Sequence, residues 1–310
     1  MSDLIRLLSA ETGLSNSDLI RIIRTAPRRY KVFYIPKRTG GMREIAQPAR
    51  ELKVLQRVLV GRLLGALPVH DAARAYRTGM SIRDNAAPHA GSGPILKMDF
   101  RDFFPSIRST DWQRYCRDHD ILSEEDREIT SLIFFRRNKG EKIFRLSIGA
   151  PSSPVLSNVL MYDFDTQVSA EAERRGIAYT RYADDLTFSG QRAGMLKDMV
   201  GEVEKAARKV KYPRLQVHGE KTTYITASRR RTVTGVTLAN DGALSLGRDK
   251  KRLLSAGVHH ASLGKLSAEQ MEELAGQLAF ANVVEPEFLD RLRAKYGEAV
   301  DLVRRSVRSS

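Results

Sequence analysis

The chain has 310 residues, 42% of them hydrophobic, with 52 Lys and Arg against 37 Asp and Glu, a formal charge of +15 and a pI near 10.0. That length holds one large or two ordinary domains, and the cation excess points to a polyanionic partner, nucleic acid ahead of a membrane surface. No run of about 18 apolar residues exists to span a bilayer; no basic-then-apolar leader opens the chain; and one cysteine, Cys116, excludes an internal disulfide and a cysteine-built zinc cluster, so a cytoplasmic protein is expected.

Residues 1–30 read as a partly separate extension of two short helices, a piece more often packed on the segment that follows than a DNA-reading helix-turn-helix. Leu4, Leu7 and Leu8, then Leu19, Ile20, Ile22 and Ile23, recur at helical spacing, with N-cap candidates at Ser15-Asn16-Ser17-Asp18. Residues 30–47 read as a β-hairpin turning at Lys37-Arg38-Thr39-Gly40-Gly41. Residues 51–66 form an amphipathic helix with Leu52, Leu55, Leu59 and Leu63 on its buried stripe. Residues 70–93 mix helix and loop. Helical patterns over 109–146 end in the basic segment 136–142, and residues 152–172 and 193–210 are further helices.

Strands are expected at 95–99, 177–182, 186–190 and 214–225, forming a small antiparallel sheet covered by two helices. A hairpin then runs from Thr232 to Leu246 and turns at Asn240-Asp241-Gly242. Between Ser228 and Arg252 seven Lys or Arg face two Asp. The tail, 248–310, is helical.

Candidate chemistry starts at Tyr182-Ala183-Asp184-Asp185, between the strand-like segments 177–181 and 186–190. Adjacent carboxylates at the tip of an apolar hairpin raise each other's pKa unless a cation is present. Asp is also common in turns for its turn chemistry alone. A third acid, Asp99, ends the apolar run Pro94-Ile95-Leu96-Lys97-Met98 and can converge on the same sheet edge. Three hard oxygen donors suit Mg²⁺ together with substrate phosphates, and two such ions can hold both the attacking and the leaving oxygen of a phosphoryl transfer. The six histidines are scattered and show no metal-motif spacing.

These residues carry a resemblance. Asp99 and the YADD tetrapeptide, in this order, resemble motifs A and C of reverse transcriptases, and Gly149-Ala150-Pro151-Ser152-Ser153-Pro154 resembles motif B. The stretch from Tyr34 to Pro48, followed by Leu52-Lys53 and Gln56-Arg57, is similar to the fingers of bacterial reverse transcriptases. Asn85-Ala86-Ala87-Pro88-His89 and Val233-Thr234-Gly235 fit the NAxxH and VTG patterns of retron enzymes. The resemblance spans roughly residues 30 to 240.

It implies an α+β right-hand polymerase whose small antiparallel palm sheet is backed by helices. The N-terminal extension would be 1–30 and the fingers 31–93. The palm would be 94–228, with a fingers insertion near 109–150, and the primer-grip hairpin and helical thumb 229–310. Asp99, Asp184 and Asp185 would be catalytic and hold two Mg²⁺ ions. Lys37, Arg43, Phe104, Gly149 and Lys221 would contact the nucleotide. Phe104 would exclude a ribose 2′-OH, and Lys221 would protonate or neutralise the leaving pyrophosphate. Ile148 stands where many relatives carry Gln, which removes one amide contact to the nucleotide. Asn85, His89, Val233, Thr234 and Gly235 would recognise RNA.

The implied activity is RNA-directed DNA synthesis on a structured non-coding RNA, giving a branched RNA–DNA (msDNA) in a retron antiphage defence system. Its partners would be that RNA and its DNA product, dNTPs and a separate effector protein. Alternatives are a group II intron-like or other bacterial reverse transcriptase, and a non-catalytic RNA-binding module on a polymerase scaffold.

Overall fold

The computed structural model describes residues 2–306 apart from residues 38, 39, 92 and 227. The tip of the first hairpin, expected at residues 37–41, therefore lies partly outside the described residues.

Strands β1 (Tyr30–Pro36) and β2 (Met42–Pro48) pair in register from Tyr30↔Pro48 to Pro36↔Met42. The central sheet is built from β3 (Ile95–Asp99), followed after a small β4–β5 pair (Arg136–Arg137 and Phe144–Arg145) by β6 (Ala178–Tyr182), β7 (Asp185–Ser189) and β8 (Thr223–Ile225). Its order is β6-β7-β3-β8, antiparallel throughout. The expected strand over 214–225 is only three residues long. Upstream of it the chain makes one bridge, Phe100↔Val217, and a short 3₁₀ turn at Gly219–Lys221.

β3 reads as an apolar run because it is buried on both faces: Ile95, Leu96 and Met98 are sealed, and only Lys97 is partly open. Helices Tyr162–Arg174 and Met199–Lys209 cover the sheet, burying Phe164 and Val168 on one and Met199 and Val203 on the other.

The N-terminal helices Asp3–Thr12 and Asn16–Thr25 pack onto the chain that follows them. Leu4, Leu8, Leu19 and Ile23 share one core with the helix Arg50–Arg62 and the central sheet. Ser15 caps the second helix through the Asp18 amide, where the sequence placed a cap. Along Arg50–Arg62 the buried face is Leu52, Leu55, Gln56 and Leu59, while Leu63 lies past the helix end. Gln56 is buried because its amide donates to the Ile133 carbonyl at 2.8 Å and to the Tyr30 hydroxyl at 3.2 Å.

A second core forms where the chain continues past residue 231. Strands β9 (Arg231–Val233), β10 (Val236–Leu238) and β11 (Leu244–Ser245) make a three-stranded sheet, not the two-stranded hairpin expected. The tight turn at Thr234-Gly235 divides the expected first strand into β9 and β10; Thr234 has φ 47° and Gly235 φ 80°. Helices Arg248–Ser262, Ala268–Val284, Pro286–Tyr296 and Ala299–Ser306 complete this core through Leu254, Leu278, Leu289 and Val300. Ala86 and Ile95 also belong to it, so the segment between them joins the two cores.

Candidate active site

The turn between β6 and β7 has two residues, Ala183 and Asp184, and Tyr182 pairs with Asp185 across it. Ala183 sits at φ 59°, a left-handed conformation that costs an L-residue about 1–2 kcal/mol. Across the β3–β7 ladder Asp99 lies directly opposite Asp185. The three acids separated by 85 residues of chain thus share one sheet edge. Burial, with the negative charges of Asp99 and Asp185 beside it, pushes the Asp184 carboxyl up to about 6.

Asp99 is 8% exposed, and its Oδ1 is buried with no hydrogen-bond partner among the described residues. Its Oδ2 accepts from the Lys221 ammonium, which the 3₁₀ turn Gly219–Lys221 delivers. That turn is placed by backbone bonds: His218 N donates to Asp99 O at 2.7 Å and Arg101 N to Gln216 O at 2.8 Å. The hydrogen bond to Asp99, together with the surrounding negative charge, raises the Lys221 pKa.

Among the described residues no three metal-binding side chains close into a ready-made cage. An open set of acids fits a hard cation that keeps water and substrate phosphates in its shell. The orphaned Asp99 Oδ1 and the raised Asp184 are the two features that such a cation would satisfy.

Aromatic and basic side chains lie near the acids. Phe103 packs inward at 4% exposure while Phe104 is only partly buried, its ring 6.3 Å from that of Tyr76. Tyr76 is half exposed at φ 60°. Its phenol pKa is raised by burial and then by the charge of Asp184. Nothing in the sequence around Tyr76 marked it, because neither spacing nor composition sets it apart. Lys37 and Arg43 are exposed on the β1–β2 hairpin, and the Arg43 charge reaches Tyr76.

Gly149, expected at the nucleotide, is exposed and also packs on the first hairpin. It has φ +113°, and a Cβ there would lie 3.1 Å from the Ala46 carbonyl oxygen and from Ile45 Cγ2. Its bare backbone packs the 148–152 loop against β2, where Ala46 N donates to Ile148 O at 2.8 Å. The main chain of Ile148 thus anchors the hairpin whatever its side chain.

The RNA-reading role expected of Asn85, His89 and Val233 does not fit their placement. They are 1%, 0% and 0% exposed. His89 bridges two strands of the central sheet, with Nε2 2.9 Å from Thr180 Oγ1 and Nδ1 2.7 Å from Ser189 Oγ. Burial pushes its pKa down to about 3, helped by the charges of Lys97 and Arg74, so the ring is neutral. Asn85 donates to Thr234 Oγ1 at 3.4 Å, and Thr234 to the Ile82 carbonyl at 3.3 Å. The two motifs are therefore one contact, tying the three-stranded sheet to the central one. Arg231 adds a bond to Gly93 O at 3.0 Å, and Arg83 one to Val284 O at 2.5 Å. Of the set only Gly235 is exposed, with Thr234 partly so. Two short motifs 150 residues apart give no sign in the sequence that they touch each other.

Paired acids at the edge of a small antiparallel sheet, in a chain that also carries an aromatic pair after Asp99 and a basic hairpin, fit a nucleotide-polymerising enzyme of the right-hand polymerase fold. Residues 35–238 match the reverse transcriptase (RNA-dependent DNA polymerase) family. The chain is 37% identical to the Retron Ec83 reverse transcriptase of Escherichia coli, over 94% of this chain and 96% of that protein. It is 33% identical to the Retron Mx65 reverse transcriptase of Myxococcus xanthus, over 94% and 69% respectively. To the Retron Ec86 reverse transcriptase of Escherichia coli it is 30% identical, over 94% and 90%. The chain belongs to the retron reverse transcriptases and is an RNA-directed DNA polymerase. Reverse transcriptases work with divalent metal ions. No helix among the described residues is long and apolar enough to cross a membrane.

Proposed function

We propose that this enzyme binds a structured non-coding RNA in the cytoplasm and copies part of it into a branched RNA–DNA, msDNA, within an antiphage defence system that includes a separate effector protein. Membership of the retron family supports this reading, and the net charge of +15 supports a large RNA partner. The observation that carries the chemistry is Asp99 opposite Asp185 with Asp184 at the adjoining turn.

In this reading Asp99, Asp184 and Asp185 hold two Mg²⁺ ions, which supply charge neutralisation and a template for in-line phosphoryl transfer. The chain's own residues position the reactants. Phe104 and Tyr76 wall the sugar of an incoming dNTP, and Phe104 excludes the 2′-OH. Lys37 and Arg43 approach the triphosphate from the hairpin. Lys221, released from Asp99 as substrate enters, neutralises or protonates the leaving pyrophosphate. Residues 31–93 serve as fingers, 94–228 as palm with an insertion near 109–150, and 229–310 as primer grip and thumb. RNA contact is left to the exposed Thr234-Gly235 tip and the basic surfaces.

The test is to express the protein with its genomic flanks and isolate short DNA joined to RNA. A branched species that disappears in Asp184→Asn with Asp185→Asn supports the reading. Extension of annealed primers without any branched product would leave a general reverse transcriptase.

A further inference from the structure

Directly behind the Ala183-Asp184 turn lies an ionic network that the proposed chemistry does not use. Arg181 is 0% exposed, as is its partner Asp165. The guanidinium grips that carboxylate with Nε at 2.8 and 3.0 Å and with Nη2 at 2.6 Å. Tyr179, two residues earlier on β6, donates its hydroxyl to Asp165 at 2.8 Å. The remaining arm, Nη1, donates to Asn158 Oδ1 at 3.1 Å and to the Ala183 carbonyl at 3.0 Å.

Two physical points make this arrangement informative. A buried ion pair rarely stabilises a fold better than apolar side chains of the same volume, so stability alone is a poor reason for it. The carbonyl it holds belongs to the left-handed residue of the turn, and such backbone strain persists only where surrounding structure enforces it. A planar guanidinium, with its donors in a fixed fork, can fix a carbonyl and a carboxylate at once, whereas an ammonium is a single point charge.

The network also reaches the opposite wall. The Asn158 amide donates to the Ala75 carbonyl at 2.8 Å, immediately before Tyr76. The Arg181 backbone fixes the same corner, with its N–H on Ala72 O at 2.7 Å and its carbonyl accepting from Arg74 N at 2.8 Å.

We infer that Arg181, braced by Asp165 and Asn158, is the positioning residue of this polymerase, holding the strained Ala183-Asp184 turn and the Tyr76 corner in register with Asp99. The inference rests on the reading of Asp99, Asp184 and Asp185 as the metal-holding acids. With the brace in place, the acids are set before metal or nucleotide arrives. Without it, the turn relaxes and each binding event must restore it.

The experiment uses the full chain on a DNA-primed RNA template. It reads kcat, the Mg²⁺ concentration for half-maximal rate, and Tm. The main variant replaces the network with apolar residues of similar size: Tyr179→Phe, Asp165→Leu and Arg181→Met together. Expected is a folded protein whose kcat falls about 10²-fold and whose Mg²⁺ requirement rises severalfold. A folded triple variant with unchanged kcat and Mg²⁺ requirement overturns the inference, since the network would then be core filling.

Arg181→Lys keeps the charges matched and decides the matter if the triple variant does not fold. Expressed per folded molecule, the same loss and the same Mg²⁺ shift support positioning, and wild-type values overturn it. Asp184→Asn serves as the separate control. If it retains full activity, the reading of the acids fails, and it fails independently of Arg181.

Discussion

Lys221 is ion-paired with one oxygen of Asp99 while the other oxygen of the same carboxylate is buried without a partner among the described residues. A monovalent ammonium thus meets half of the demand that this acid makes, and the cluster retains uncompensated negative charge. Adding Mg²⁺ should therefore raise the Tm of the wild-type protein. The rise should shrink in Asp99→Asn and Asp184→Asn, whose polymerase activity should fall about 10³-fold or more. Thermal melts across a Mg²⁺ titration check this; an identical Mg²⁺ response in wild type and both variants would count against a metal at these acids.

Lys221→Met should slow nucleotide addition by about 10²-fold if the ammonium gives a proton to the pyrophosphate. Lys221→Arg separates the two roles. Arginine restores charge but does not release a proton near neutral pH. Single-turnover rates that recover fully in Lys221→Arg would assign charge neutralisation, and rates that stay low would assign proton transfer.

Phe104→Ala should relax sugar selection. Removing the partly buried ring opens the space beside Tyr76, and a pocket that rejects a hydroxyl by shape alone discriminates by about 10²-fold. Comparing kcat/KM for dNTP and NTP checks it. Unaltered selectivity in a folded variant would move the steric gate elsewhere, Tyr76 being the nearest candidate.

His89 should make the fold acid-sensitive. Its folded pKa, down to about 3, lies below the unfolded value of about 6.5. The unfolded chain therefore binds the extra proton first. Full stability holds above pH 6.5 and is lost progressively as pH falls toward 3, by about 2 kcal/mol at pH 5. Urea melts at pH 7.5 and pH 5 should show a smaller difference for His89→Gln than for wild type. An equal acid loss in both would remove His89 as the source.

Gly149→Ala should destabilise by about 1–3 kcal/mol, because its φ of +113° and the Ala46 carbonyl oxygen 3.1 Å from the added Cβ leave little room to adjust. Denaturant unfolding gives the number. An unchanged midpoint would show that the 148–152 loop can separate from β2 freely.

The sequence by itself determined the local elements and the identity of the acids. Alternating and 3.6-residue hydrophobic patterns placed a hairpin at 30–47, a helix at 51–66 that in the structure runs Arg50–Arg62, and strands on either side of Asp184, since these follow from periodicity within one segment. Motif order was enough to single out Asp99, Asp184 and Asp185, which share one sheet edge, and Lys221, which a 3₁₀ turn brings to Asp99.

Only the tertiary structure decided what the other polar residues do. Asn85 and His89 have the chemistry to read RNA, yet they are sealed against Thr234, Thr180 and Ser189 from distant parts of the chain. Gly149 packs its backbone against β2, a contact that nothing in its own segment announces. Arg181 and Asp165 look like ordinary surface charges in a basic sequence and are wholly buried. A side chain's type states which bonds it can make. Which bonds it does make depends on neighbours brought together by burial across long sequence separations, and no pattern within one segment encodes that.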